Sequence, residues 1–383
     1  MAFQLEKKFQ ALFPDGDVIR AASMSDEDTC IILTEKGNVF RFHVKTEETE
    51  HLFETNPPSY PSGFDTGAAA SIYTMDDIVV LVNDFKTCGF VWNGQESYLL
   101  RLQREDYYAC HSKYPIALFR KNGAPHLIFS TEWNHLQIAN LATRQVLTAD
   151  KSLIEDGAEE RHLEFCKEYG EGNRLFWPRE FDYFFGRLIL SSDRRRFLSA
   201  GWVWGSQDCY MLFDVEDFLN NHRIKGTPIF QGEHLGRAAC FLDDNTIAVL
   251  YKEDLDDWEW EEKASSSPFM PFGMPSWTIR LCPLPVQSSS SGNASNTDSL
   301  SPDGEPSCIA LDKDWDLSTA DLYYHSRHNC FFLFSNTIGL AAISMEGRTL
   351  YHNPGFITQK YEENTDCFLT YDANRLSAWH FLK

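Results

Sequence analysis

The chain alternates short apolar runs with turn residues. Cys30-Ile31-Ile32-Leu33-Thr34, Ile78-Val79-Val80-Leu81-Val82 and His126-Leu127-Ile128-Phe129-Ser130 are clear cases. Arg196-Phe197-Leu198-Ser199, Ile247-Ala248-Val249-Leu250-Tyr251, Phe331-Phe332-Leu333-Phe334-Ser335 and Asp366-Cys367-Phe368-Leu369-Thr370 continue the series. Each is short and rich in β-branched or aromatic residues, which reads as strand. Most are followed by a turn and a second run, as at 38–44 and 136–139, the pattern of a β-hairpin. Runs that are apolar at every position fit strands covered on both faces.

The spacing of these runs predicts a repeat. With Leu33, Leu81, Phe129, Leu198, Leu250, Leu333 and Leu369 as equivalent centres, the successive differences are 48, 48, 69, 52, 83 and 36 residues. The two long intervals hold inserted sequence: a charged stretch around 155–171, and an acidic run at 253–262 followed by a Ser-rich run at 287–306. Without roughly 25 and 40 residues, both approach the ~40–45 of a four-stranded propeller blade. The expected fold is all-β: a closed β-propeller of about seven four-stranded blades. It forms one domain over 1–383, with insertions near 155–180, 253–277 and 287–306. The last repeat stops one strand short, and the segment around 3–13 is expected to supply that outer strand, which limits exposed strand edges.

Charge narrows the function classes. The 383 residues carry 34 basic and 56 acidic side chains, a net charge of −22. Such a chain repels phosphate backbones and anionic membranes and favours a basic partner, so neither nucleic acid nor membrane is expected as a ligand. Arg194-Arg195-Arg196 beside Asp193 reads as a turn. The ten cysteines are scattered, form no Cys-x-x-Cys pair and often lie in apolar runs. This pattern reads as free thiols in a reducing compartment. The N-terminus lacks a long apolar core, and no stretch approaches the ~20 apolar residues of a membrane span. The expected location is the cytoplasm.

Two segments carry a family resemblance. In Ser130-Thr131-Glu132-Trp133-Asn134, Ser130 starts the inner turn and Trp133-Asn134 occupies the tight turn, with Ala139-Asn140 where a Trp-Asp pair would fall. Residues 190–201 look like a strand–turn–strand lead-in, and Phe213-Asp214 takes the Trp-Asp place. The chain resembles divergent bacterial WD40-like repeat proteins. The Gly-His dipeptide of that family is absent. The resemblance implies a propeller with a scaffold-like role and names no partner.

The strongest local feature is Glu253-Asp254-Leu255-Asp256-Asp257-Trp258-Glu259-Trp260-Glu261-Glu262. Tryptophan anchors and charge complementary to a partner are features of protein interfaces, so Asp254, Asp256, Asp257, Trp258, Glu259, Trp260 and Glu261 are the expected partner-binding residues. Trp202 and Trp204 mark an alternative face. The Pro- and Phe-rich segment 265–277 reads as a loop over the rim, and 287–306 as a flexible loop. The aromatic stretch 176–186 reads as core, with a stacking site for sugar or peptide as its rival. His325 and His328 lack a metal-site pattern, and no nucleophile elbow, phosphate loop or dinucleotide fingerprint is present. No catalytic residue, metal or cofactor is expected. The function expected is a non-enzymatic protein-binding propeller for a basic partner. The alternatives are an enzyme or small-ligand binder using the central funnel, and an acidic inhibitor or immunity-type protein.

Overall fold

The computed structural model describes residues 3–14, 16–57, 62–94, 99–169, 181–232, 236–252, 276–285 and 306–383. They form seven four-stranded sheets, six of them consecutive along the chain. The first blade is Ile19–Met24, Thr29–Thr34, Asn38–His43 and Glu48–Glu54. The second is Ala70–Met75, Ile78–Asn83, Cys88–Asn93 and Leu99–Gln103, and the third Ile116–Lys121, Ala124–Glu132, His135–Asn140 and Gln145–Val146. Phe184–Leu190, Arg196–Val203, Gln207–Asp214 and Thr227–Gly232 make the fourth. The fifth is Ala239–Asp243, Thr246–Tyr251, Thr278–Pro283 and Ser307–Ala310; the sixth is Asp321–His325, Cys330–Ser335, Gly339–Ser344 and Thr349–Asn353. The seventh takes Lys360–Glu362, Cys367–Asp372 and Arg375–Leu382 from the C-terminus and Gln4–Leu12 from the N-terminus. Two compact units contain these blades. One, built on Gly232–Thr358, holds the fifth and sixth; the other, built on Leu5–Gln231 and Gln359–Phe381, holds the rest.

The seven repeat centres all lie on second strands. Side chains alternate across a strand, so a strand between two neighbouring sheets buries every position. Cys30 and Ile32 pack with Cys367 and Leu369 of the last blade, whereas Ile31 and Leu33 pack with Val79 and Leu81 of the second. Val80 and Val82 then meet Leu127 and Phe129 of the third blade, and Ile128 joins Phe197 of the fourth. Within the smaller unit, Ala248 and Leu250 pack with Phe331 and Leu333 in the same way. The core is thus a series of layers between adjacent blades.

The N-terminal strand completes the last blade as expected. It lies beside Arg375–Leu382, with Phe13 N donating to Asn374 O at 2.7 Å. Ala11 and Phe13 pack with Leu376 and Ala378. A brace ties the innermost strands of the seventh, first and second blades: Lys360 Nζ donates to Ser23 Oγ at 2.8 Å and to Ile72 O at 3.0 Å, and pairs with Glu362 at 3.0 Å. The charged insertion after the third blade holds a helix, Ala158–Tyr169, that the strand pattern did not indicate. It begins with Glu159 and Glu160, acids suited to a helix N-terminus. A second helix, Val215–Asn220, is N-capped by Asp214, whose carboxylate accepts from Asp217 N at 2.9 Å. The position expected to stand for a Trp-Asp pair therefore starts a helix.

Candidate functional site

The larger unit exposes a face of aromatic rings, and its placement begins with one arginine. Arg104 follows the last strand of the second blade and is buried. Its guanidinium donates to four carbonyls: Lys86 at 2.8 Å, Asp84 at 3.3 Å, Ala109 at 3.0 Å and Ser112 at 2.8 Å. It also stacks over the Tyr114 ring at 4.6 Å. Burial lowers its pKa to about 10, against the pull of Tyr114 and Asp84. The planar fork of five donors suits this gathering of carbonyls, and it shapes the loop 105–114.

That loop carries Tyr107 and Tyr108, 45% and 40% exposed. Tyr108 has φ 51°, in the left-handed region that bulky residues avoid. Strain of this kind persists only where the surroundings impose it, and it clusters at functional sites. Here the surroundings are rings. Tyr108 meets Trp204 edge-on at 5.2 Å and Trp202 at 5.8 Å, and Tyr107 meets Trp133 at 5.9 Å.

Phe184 is the hub. It is 1% exposed, stacks on Trp202 at 3.8 Å with an interplanar angle of 7°, and contacts Trp133 at 4.4 Å and Trp204 at 5.0 Å. Phe184 and Trp202 are cross-strand partners beside a register shift. Two glycines permit that shift. A Cβ on Gly186 would lie 2.0 Å from Ala200 O, and one on Gly201 would lie 2.3 Å from Phe184 O. Trp202 Nε1 donates to Ser112 Oγ at 2.8 Å, which fastens the fourth blade to the loop. Trp204 lies in the turn just after the strand Arg196–Val203, 44% exposed, with its ring edge-on to Trp202 at 6.1 Å. Trp133, in the tight turn of the third blade, is held by Phe185 N donating to its carbonyl at 3.0 Å.

The sequence singled out Trp202 and Trp204, and the structure brings them together with Tyr107, Tyr108, Trp133 and Phe184. Phe184 belongs to the stretch read as core, and it is core to the face itself. Tyr107 and Tyr108 were missed; their signal is a tyrosine pair placed directly after Glu105-Asp106 in a loop. Acidic side chains flank the ring-bearing positions: Glu105, Asp106 and Asp182 are exposed and Glu132 is half-buried. Lys113, in the same loop, is paired with Asp84 at 3.5 Å. Asp254, Asp256, Asp257, Trp258, Glu259, Trp260 and Glu261 lie outside the described residues.

Among the described residues, no group of three or more His, Cys, Asp or Glu side chains could hold a metal ion. No described helix is long and apolar enough to cross a membrane. The chain matches no family model and no curated protein sequence. Among solved structures it is similar to the Pan2 WD40 domain of Neurospora crassa. The TM-score is 0.52 at 9% identity, over 98% of this chain and 94% of that one. At this identity the likeness carries fold alone. Seven four-stranded blades, an N-terminal strand completing the last and this likeness together make the chain a β-propeller in fold, similar to a WD40 domain.

Proposed function

We propose that this chain is a non-enzymatic interaction propeller that docks a basic partner protein on the aromatic face formed by the loop 105–114 with the third and fourth blades. The observation that carries the reading is the set of three exposed rings, Tyr107, Tyr108 and Trp204, supported from below by Phe184 and Trp202. Isolated surface aromatics need no explanation, but a contiguous cluster marks a binding surface. Tyrosine and tryptophan are the residues that anchor protein interfaces. Lysine and arginine side chains fit over their faces by cation–π attraction. The neighbouring Glu105, Asp106 and Asp182, in a chain of net charge −22, favour a basic segment and speed its encounter. The acidic–aromatic run 253–262 is a second proposed contributor, through Trp258 and Trp260 with Asp254, Asp256, Asp257, Glu259 and Glu261. Ten free cysteines fit a reducing compartment, and we place the protein in the cytoplasm.

Titration with Arg- and Lys-containing peptides, each paired with a Gln-substituted control, tests the reading through tryptophan fluorescence. Cationic peptides bind and perturb the fluorescence, the Gln controls bind weakly, and Trp204→Ala weakens binding by about tenfold or more, as expected of an anchor worth ~2 kcal/mol. Equal binding of cationic and Gln peptides, or binding unaffected by Trp204→Ala and Tyr108→Ala, overturns it.

A further inference from the structure

A second feature of the larger unit has no part in the aromatic face. After the third blade, Lys151 turns inward until it is only 6% exposed. Its Nζ donates to the carbonyl of Asn221, the residue that ends the helix Val215–Asn220, and lies 4.4 Å from the centroid of the Phe218 ring. Among the described residues no carboxylate forms an ion pair with it; Asp150 and Asp217 act on it only through space. The imidazoles nearby are His135 and His222, and His135 is held toward its neutral form by burial and then by the Lys151 charge. Lys151 lines a cavity of about 110 Å³ together with Thr148, Asp150, Asn220, Asn221 and His222.

A buried ammonium without a counter-charge is costly, and lysine answers by losing its proton. Burial brings Lys151 down to about 8, with Asp150 and Asp217 pulling the other way. A neutral amine is the nucleophile of acyl transfer. The cavity that Lys151 lines has the volume for a small acyl group. A secondary amide there removes the buried charge and keeps one N–H for the Asn221 carbonyl.

We propose that Lys151 is an acylation site that takes an acetyl-sized group from a small thioester. The neutral amine attacks the thioester carbonyl, the C–N bond forms as the C–S bond breaks, and the amine proton leaves with the thiolate as free thiol. The inference is independent of the docking reading.

The test uses the full chain and the acetyl thioester of N-acetylcysteamine at pH 7, 8 and 9, with the acetylation rate of each lysine followed by peptide mass spectrometry. At pH 7 a group titrating near 8 is roughly 10% neutral and an ordinary lysine below 0.1%. Allowing for the weaker nucleophilicity of the less basic amine, Lys151 reacts about tenfold faster than the exposed Lys36 and Lys45. Its rate levels off above pH 8 while theirs keep rising. The acetylated chain keeps the urea midpoint of the parent or exceeds it. A rate at Lys151 no greater than at Lys36 and Lys45, a rate rising in parallel with theirs through pH 9, or unfolding on acetylation overturns the proposal.

Discussion

At the scale of single residues, the aromatic face separates support from contact. Phe184 is buried among the rings, so Phe184→Ala leaves a cavity and costs about 3 kcal/mol or more in urea unfolding. Trp204 is half in water, and Trp204→Ala changes stability little while weakening cationic-peptide binding; a Trp204→Ala chain that loses as much stability as Phe184→Ala would show the ring to be core. Cys110 offers a chemical probe of the same face. It is exposed, with Sγ 3.0 Å from His111 Nδ1, and His111 meets Tyr108 at 5.7 Å and Trp202 at 6.5 Å. Maleimide labels Cys110 and the exposed Cys308 in the folded chain before the buried thiols. Bound cationic peptide slows labelling of Cys110 and leaves Cys308 unchanged. Equal protection of both, or of neither, places the peptide elsewhere.

At the scale of elements, the second strands were legible and the loops were not, for physical reasons. A strand buried on both faces is apolar at most of its positions, which is why Ile78-Val79-Val80-Leu81-Val82 and its six counterparts announced themselves. The first strands alternate less cleanly, as in Asp321–His325, and the outer ones are short or polar, as in Gln145–Val146. The missing outer strand could be deduced by counting, and Gln4–Leu12 fills it. Deleting residues 1–13 removes this strand, exposes the edge of Arg375–Leu382 and lowers the melting temperature or causes aggregation; a monomeric deletion with parent-like melting would mean that the strand adds nothing to closure. The helix Ala158–Tyr169 hid in a stretch whose polar composition gives no strand signal and whose helical periodicity is weak. The loop 105–114 has no pattern at all, because one side chain shapes it. Arg104→Lys replaces a fork that reaches four carbonyls with a single ammonium, so amide exchange in 105–114 quickens and cationic-peptide binding falls. Unchanged exchange there would assign the loop shape to Tyr114 and Trp202 instead.

At the scale of the whole molecule, the same inter-blade burial that makes the core also stores protons on it. Tyr73 and Tyr371 are half-buried at the edges of these layers and are pushed up to about 12, chiefly by desolvation, aided by Asp84 in the first and by Cys30 and then Asp84 in the second. Burial likewise raises Cys330 to about 12 and Cys367 to about 11, and holds Tyr183 and Tyr361 higher still. In the unfolded chain these groups ionise near 10 for tyrosine and 9 for cysteine. Each raised value means that the folded chain binds more protons than the unfolded one above pH 9, so stability falls with rising pH there. Their contribution is whole below pH 9 and is lost between about 9 and 12. Arg104, lowered to about 10, and Lys151, lowered to about 8, work in the opposite sense, but they are two groups against several. The added negative charge falls on a chain already at −22, whose self-repulsion grows with each ionisation. Melting temperature therefore rises slightly between pH 8 and 9, where the Lys151 shift acts alone, and drops steeply above pH 10. The absorbance of the buried tyrosinates rises together with loss of β structure by circular dichroism, in one cooperative step. Tyrosines that all titrate near pH 10 with the circular dichroism intact would show that these side chains meet solvent, and that the layers between blades are looser than their packing indicates.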